Sequence, residues 1–409
     1  MKNIYIIDES ISSQKNGIGT FLGELIFCLK ESEHDLNLIT FNADGKEFNI
    51  TVRNGIKNIL FPVFKYGHFL GHSKSIKNLL RLYIPDSPNN IFLLNHSPCS
   101  DFIETLKETH PHSLVVFTIH DFGWTSPLMG DLNKYKKIVI KDTDNSTDSN
   151  PIFEIYNQEK RMYDLVDRVV CLSKDAYNIL QTIYKVPKTK IFLIPNGLRL
   201  QSINENHNKD NIERIRVSKQ IKNEDKILLF IGRPTKEKGI FDLIKALKLV
   251  IKDQQNIKLV IVDDGNEVSM KEIINASSEI AASVIFTGQL KKSDVQKWLS
   301  IADIGLIPSY YEQCSYTAIE MMMHGLPIIA SDGLGIRNMF KDGDNAKVVK
   351  IGNGDNPTKY QKRLAKTIMD LLESPDLCHN LRGEILETYK SHYEIKEMKK
   401  NYNKLIESF

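Results

Sequence analysis

The stretch IPSYYEQCSYTAIEMMMHGLPIIASD, residues 307–332, decides how the chain folds. Pro308, Ser309, Tyr310 and Tyr311 have loop chemistry, and a helical run follows from about Ser315 to His324. Gly325 and Pro327 end it, as a C′ glycine followed by a proline that cannot continue the helix. LPIIAS, apolar and partly β-branched, is a buried strand. Loop, helix and strand in that order form a repeating piece of an α/β sheet.

Two acids stand eight positions apart in this stretch, Glu312 in the loop and Glu320 in the helix. The backbone N–H groups near Cys314, Ser315 and Tyr316 lack helical partners. A helix N-terminus of this kind favours an anion, because free N–H groups and the helix dipole both point at it. Two carboxylates would repel a phosphate unless they bind something else, and sugar hydroxyls are good donors to an ionised acid. A phosphate beside acids that read a polyol describes a nucleotide sugar. On these residues alone the plainer reading stays open, with Glu312 a solvated loop acid and Glu320 a surface helix acid.

PSYYEQCSYTAIEMMMHGLPIIAS resembles the motif of the retaining glycosyltransferases of family 4: Glu, seven residues, Glu, preceded by Pro-Ser and followed by a small-residue turn. The resemblance implies an α/β chain of GT-B architecture, with two Rossmann-like domains facing a central cleft and a C-terminal helix crossing back to the first. By position it implies that Glu312 contacts the donor sugar's hydroxyls and Glu320 the nucleotide ribose. One departure stands out. The family commonly has an aromatic residue and a glycine shortly after the first acid, where this chain has Gln313, Cys314 and Ser315.

Upstream, KILLFIGRPTKEKGIFDLIKALKLV opens a fresh strand, turn and helix near Lys226. Gly232 is expected to relieve crowding at the strand end, and Arg233 and Lys238 put two cations beside a helix beginning near Gly239. Cations plus free helix N–H groups form a diphosphate cradle. A basic pair in a turn is otherwise a solvated surface feature; the family's Gly-Arg…Lys-Gly pattern, present with its spacing intact, implies the cradle. Asp263, Asp264 and Gly265 read as a strand-end turn. Gly288, Gln289 and Leu290 are implied by the resemblance as a backbone site for the base. Gly333 and Gly335 form a close turn near the cleft floor, with Arg337 and Asn338 where the family has an acid.

The first half begins with a strand, Ile4 to Asp8, a loop SSQKNGIGT, and a helix from about Thr20 to Glu31. Gly17 and Gly19 permit close approach to a ligand and Thr20 can cap the helix. HDLNLITFNA and IKNILFPVF are further strands, and a helix spans Ser73 to Tyr83. Phe64, Tyr66, Phe69, Leu79, Leu80 and Tyr83 are read as helix packing in preference to an acceptor groove. Two strands end in histidines, His96 and His120, the latter beside Asp121, and ligands gather at the carboxyl ends of parallel strands. The resemblance places His120 near the donor sugar. Residues 130–152 read as an exposed insertion, and a helix near Glu154 to Val166, the strand RVVCLS and a helix from Ser173 to Tyr184 follow. Pro195, Asn196 and Gly197 mark a boundary. The expected division is an acceptor-side domain at 1–197, a linker at 198–225, a nucleotide-sugar domain at 226–390, and a last helix at 391–409 packing back on the first domain.

Composition agrees with this plan. A chain of 409 residues with 41% hydrophobic and 26% charged residues is globular, of two or three domains, and not disordered. A net charge of +3 does not argue for nucleic acid. No apolar run approaches a membrane span, and MKNIYIIDES reads as a strand and not a signal peptide. Cys28, Cys99, Cys171, Cys314 and Cys378 form no ligand spacing, which fits a reducing cytoplasm and no structural metal.

The expected activity is retaining, metal-independent transfer of a sugar from a nucleoside-diphosphate donor, UDP-sugar favoured, to a glycan precursor, small molecule or peptide. Arg233, Lys238, Glu312 and His120 are the candidate catalytic residues. Gly17, Gly19, Gly232, Gly288, Gln289, Leu290, Cys314, Ser315, Tyr316 and Glu320 are the candidate donor-binding residues. The expected place is the cytoplasm, with a peripheral contact to the inner face of the membrane left open. A GT-B nucleotide-sugar epimerase and an inactive partner subunit are the two other classes. Donor turnover without acceptor marks the first, and the altered Gln313–Ser315 loop with the missing acid after Gly335 speaks for the second.

Overall fold

Two sheets organise the chain. The structure, a computed structural model, describes residues 1–9, 17–43, 45–62, 73–95, 100–142, 150–200, 209–262, 267–352 and 356–409. The first sheet contains β1 (Asn3–Glu9), β2 (Asp35–Ala43), β3 (Asn49–Arg53), β4 (Ile56–Pro62), β5 (Asn90–Leu94), β6 (Leu114–Ile119), β7 (Arg168–Cys171) and β8 (Ile191–Leu193), in the order β3-β4-β2-β1-β5-β6-β7-β8. All neighbours are parallel except β3 and β4. The second contains β9 (Lys226–Ile231), β10 (Ile257–Val262), β11 (Val284–Gly288), β12 (Ile304–Ile307), β13 (Ile328–Ser331) and β14 (Lys347–Val349), wholly parallel, in the order β11-β10-β9-β12-β13-β14.

Parallel strands covered on both faces need near-continuous apolar runs. ILLF of β9 and IGLI of β12 supply them and are buried throughout. Leu228, Phe230, Leu243, Ile244, Leu247 and Ile368 form the centre of the second core, joining the sheet to the helices Ile240–Val250 and Pro357–Leu372. Strand order reverses once in each sheet, between β1 and β5 and between β9 and β12. Such switch points are where loops splay apart and leave room for a ligand.

The chain divides into two compact units. The first holds Met1–Trp124, Leu132–Asn196 and Ile395–Phe409; the second holds Thr125–Asp131 and Gly197–Glu394. The second unit thus starts before the expected linker, and Leu198 is already tied in it by its N–H to the Tyr393 carbonyl at 2.9 Å. The last helix, Ile395–Glu407, lies in the first unit against the helix Gly17–Lys30, with Lys399 paired to Glu31 and Tyr402 buried.

Several local expectations are corrected. The first helix begins at Gly17, so Gly17 and Gly19 sit in its opening turn and Thr20 is inside it and not its cap. Residues 132–142 are a helix and not part of an exposed insertion, because Tyr135 is buried and stacks on Trp124 at 4.2 Å. β3 was signalled by Asn54-Gly55, whose φ values of 52° and 79° make the tight turn of a hairpin with β4. Leu80 is buried and Tyr83 stacks on Phe48 at 5.3 Å, the packing role expected. Phe64, Tyr66, Phe69, His96, Asp263, Asp264 and Gly265 lie outside the described residues. Among the described residues no helix is long and apolar enough to cross a membrane.

Candidate active site

Three turns follow β9, β12 and β13, neighbouring strands at the switch point of the second sheet. The turn after β9 starts at Gly232, with φ +143°. A Cβ there would meet nothing within 4 Å, so backbone conformation and not the expected crowding explains the glycine. Arg233 is exposed and its guanidinium has no partner among the described residues. Lys236–Lys238 then form a 3₁₀ turn, capped by Gly239 at φ +71°. A Cβ on Gly239 would lie 2.2 Å from the Pro308 carbonyl oxygen, so the β9 turn rests directly on the β12 loop.

That contact brings Lys238 to Glu312. Nζ lies 2.5 Å from Oε1, with the two side chains only 21% and 18% exposed. Ser309 Oγ also donates to Oε1, at 3.4 Å, and among the described residues no donor reaches Oε2. From the other side the turn after β13 supports the same loop. Glu312 N–H donates to the Leu334 carbonyl at 2.9 Å, and Leu334 N–H to the Tyr310 carbonyl at 3.1 Å. A Cβ on Gly335 would fall 1.7 Å from the Glu312 carbonyl oxygen and one on Gly333 would fall 2.6 Å from Tyr310 O. Both glycines of the close turn are thus required by its approach to the Glu312 loop.

Ser315 caps the helix Tyr316–Met323, its Oγ accepting from Ala318 N–H at 3.4 Å, and Cys314 beside it is buried. Gly325 takes φ +60°, the left-handed C′ position expected. Glu320 is half-buried, and its carboxylate has no hydrogen-bond partner among the described residues. Burial pushes that carboxyl up from its ordinary range, while the Lys292 ammonium pulls it down. Lys292 opens the helix Lys292–Ile301 just after Gly288, Gln289 and Leu290, so the implied base loop and Glu320 belong to one neighbourhood. Gly288, at φ +69°, and Gln289 are exposed.

In the first unit His120 follows β6, as expected, and its ring meets Phe21 of the first helix edge-on at 4.5 Å. The backbone after it is held by a residue that sequence reading passed over. Glu159, buried, accepts from Gly123 N–H at 2.7 Å and from the Tyr184 hydroxyl, which also bonds the Tyr135 hydroxyl at 2.6 Å. Burial pushes the Glu159 carboxyl up to about 7 against the pull of those two donors.

A guanidinium and a half-buried carboxylate without partners among the described residues, and an ammonium shared with an acid, stand on the turns and the helix that follow neighbouring strands of one sheet. Two family models match the chain in succession: Glycosyltransferase Family 4 over residues 15–202 and Glycosyl transferases group 1 over residues 211–385. The chain belongs to glycosyltransferase family 4. The group 1 match contains Arg233, Lys238, Glu312 and Glu320 together. An uncharacterized glycosyltransferase of Methanocaldococcus jannaschii is 25% identical over 247 residues, 58% of this chain and 63% of that protein, so the match leaves more than a third of the relative unspanned. Sucrose-phosphate synthase from Thermosynechococcus elongatus shares the fold over 100% of this chain and 99% of its own, with a TM-score of 0.75 and 17% identity. The structure of Anabaena HepE in complex with UDP and glucose has a TM-score of 0.72 and 14% identity, with full coverage of both chains. These likenesses establish the GT-B fold of this family 4 chain.

Proposed function

We propose that the chain is a retaining glycosyltransferase that moves a sugar from a nucleoside-diphosphate donor to an acceptor nucleophile on a glycan precursor, small molecule or peptide. The observation that carries this reading is the juxtaposition of Lys238 with Glu312, 2.5 Å apart, one turn from Arg233, whose guanidinium has no partner among the described residues. Cleaving the donor puts negative charge on the departing diphosphate. Arg233 and Lys238 stabilise that charge, each charge-assisted hydrogen bond contributing about 1.5–3 kcal/mol, and so supply the charge that a divalent cation otherwise would.

Glu312 keeps Oε2 for a sugar hydroxyl, and Glu320, with no hydrogen-bond partner among the described residues, takes a ribose hydroxyl. Lys238 has three donors, so it can hold Glu312 and a phosphate oxygen at once. Departure of the diphosphate on the face that the acceptor enters retains the anomeric configuration without a protein nucleophile. UDP is the favoured nucleotide, in line with the ligand of Anabaena HepE. A role for His120 rests on the family resemblance and its place after β6.

The test is incubation with UDP-, GDP-, ADP- and dTDP-sugars, following nucleoside diphosphate release and the anomer formed by NMR. Release from one donor with the anomer retained is expected. Isomerised donor without release would replace the reading by an epimerase, and no release with no thermal shift would leave an inactive partner subunit.

A further inference from the structure

Behind Glu312 stands a set of polar side chains that the proposed reaction does not use. The Tyr310 hydroxyl donates to Asp242 Oδ2 at 2.9 Å, and Gln361 Nε2 donates to Asp242 Oδ1 at 2.7 Å. The Tyr360 hydroxyl donates to the Pro308 carbonyl at 2.9 Å, and the Tyr310 and Tyr360 rings meet edge-on at 6.0 Å. Asp242 lies in the first turn of the helix Ile240–Val250, where the dipole favours an anion, and Gln361 and Tyr360 lie in Pro357–Leu372. Burial and the Asp242 charge both raise the Tyr310 phenol, so it stays a donor.

We propose that Asp242, steadied by Gln361, is a positioning residue that fixes Glu312 against Lys238 through Tyr310. The proposal deepens the glycosyltransferase reading and rests on the role given there to Glu312. Tyr310 is two residues from Glu312 and is tied on every side that the chain allows. Its N–H donates to the Glu237 carbonyl at 2.8 Å, in the turn that carries Lys238, and its carbonyl accepts from Leu334 N–H. A Cβ on Gly130 would come within 3.0 Å of Tyr310 O and of Tyr311 Cβ, so the Thr125–Asp131 segment also limits the loop. The backbone ties run between turns, whereas the hydroxyl tie reaches two helices of the core. A short ion pair between half-buried partners needs that fixed reference, because misplacement by about 1 Å at a reacting centre can cost up to about a hundredfold in rate.

Tyr310→Phe removes only the hydroxyl. Expected are a fall of about tenfold in kcat for donor hydrolysis, unchanged thermal stability and UDP affinity, and faster hydrogen exchange over residues 308–314. Asp242→Asn, which can still bond both partners, should restore most of what Asp242→Ala loses. In a Glu312→Gln background Tyr310→Phe should add no further loss, since both changes act on one contact. An equal loss in both backgrounds, or unchanged exchange at 308–314, overturns the proposal. Wild-type protein silent with every donor defeats the glycosyltransferase reading instead, and the exchange comparison then decides alone whether the tie holds the loop.

Discussion

The two units share a doubly wound sheet, yet their strand ends are built from different chemistry. At the β9/β12 switch point of the second unit, charged side chains keep acceptors or donors unspent among the described residues: exposed Arg233, and half-buried Lys238, Glu312 Oε2 and Glu320. After β6 of the first unit, Tyr135, Tyr184 and Glu159 are buried and hydrogen-bonded in series, Trp124 stacks on Tyr135, and Glu159 holds the Gly123 N–H. Perturbed acids occur in both units, Glu320 and Glu159, so a raised carboxyl does not by itself mark a site. Hydrogen bonding separates them: among the described residues Glu320 has no donor, whereas Glu159 holds two.

Substitutions can break that comparison. The largest effect is expected at Gly335→Ala, where positive φ and a Cβ 1.7 Å from the Glu312 carbonyl combine. A loss of about 4 kcal/mol in unfolding free energy by denaturant titration is expected from strain and overpacking together; near-wild-type stability would mean that the two turns are not in contact. Arg233→Ala should lower kcat/KM for the matched donor by about 3 kcal/mol, on the scale of a lost oxyanion donor, and leave thermal stability alone. A change below about tenfold removes Arg233 from the diphosphate.

Glu159 should act on stability instead. Its folded pKa of about 7 lies above the unfolded 4.5, so the folded state holds the proton more tightly. Its contribution is complete below pH 4.5 and is lost as pH rises through about 7. Across that window it amounts to about 3 kcal/mol. Glu159→Gln should flatten the fall in stability between those limits, measured by denaturant titration at each pH, and an unchanged slope would mean that the carboxyl is not held protonated. The smallest effect is Glu320→Gln, which should weaken nucleotide binding by about tenfold, the scale of one charged hydrogen bond. Equal loss with a 2′,3′-dideoxynucleotide would take Glu320 off the ribose.

The second unit was the more legible in sequence because its site residues fall in short turns, or in the first helix turns, that follow apolar strands. Arg233 and Lys238 stand five apart, and Glu312 and Glu320 eight, so each pair is local. The hairpin at Asn54-Gly55 and the Leu132, Tyr135, Val139 face were equally local, but lysines around the second and the brevity of β3 hid them. Asp242, by contrast, lies 68 residues from Tyr310 and 119 from Gln361, and no spacing rule joins them. Glu159 and Gly123 are 36 apart on a helix and a turn.

By itself the sequence determined the alternation of apolar strands and amphipathic helices, the turn glycines, and the residue types of the site, because periodicity and backbone preference are properties of neighbours along the chain. Only the tertiary structure decided that Lys238 pairs with Glu312, that Gly239 and Gly335 are demanded by other turns, and that Tyr310 is tied to Asp242. Those facts depend on which strands lie side by side. Strand order arises from packing the whole core at once, and no segment carries it alone.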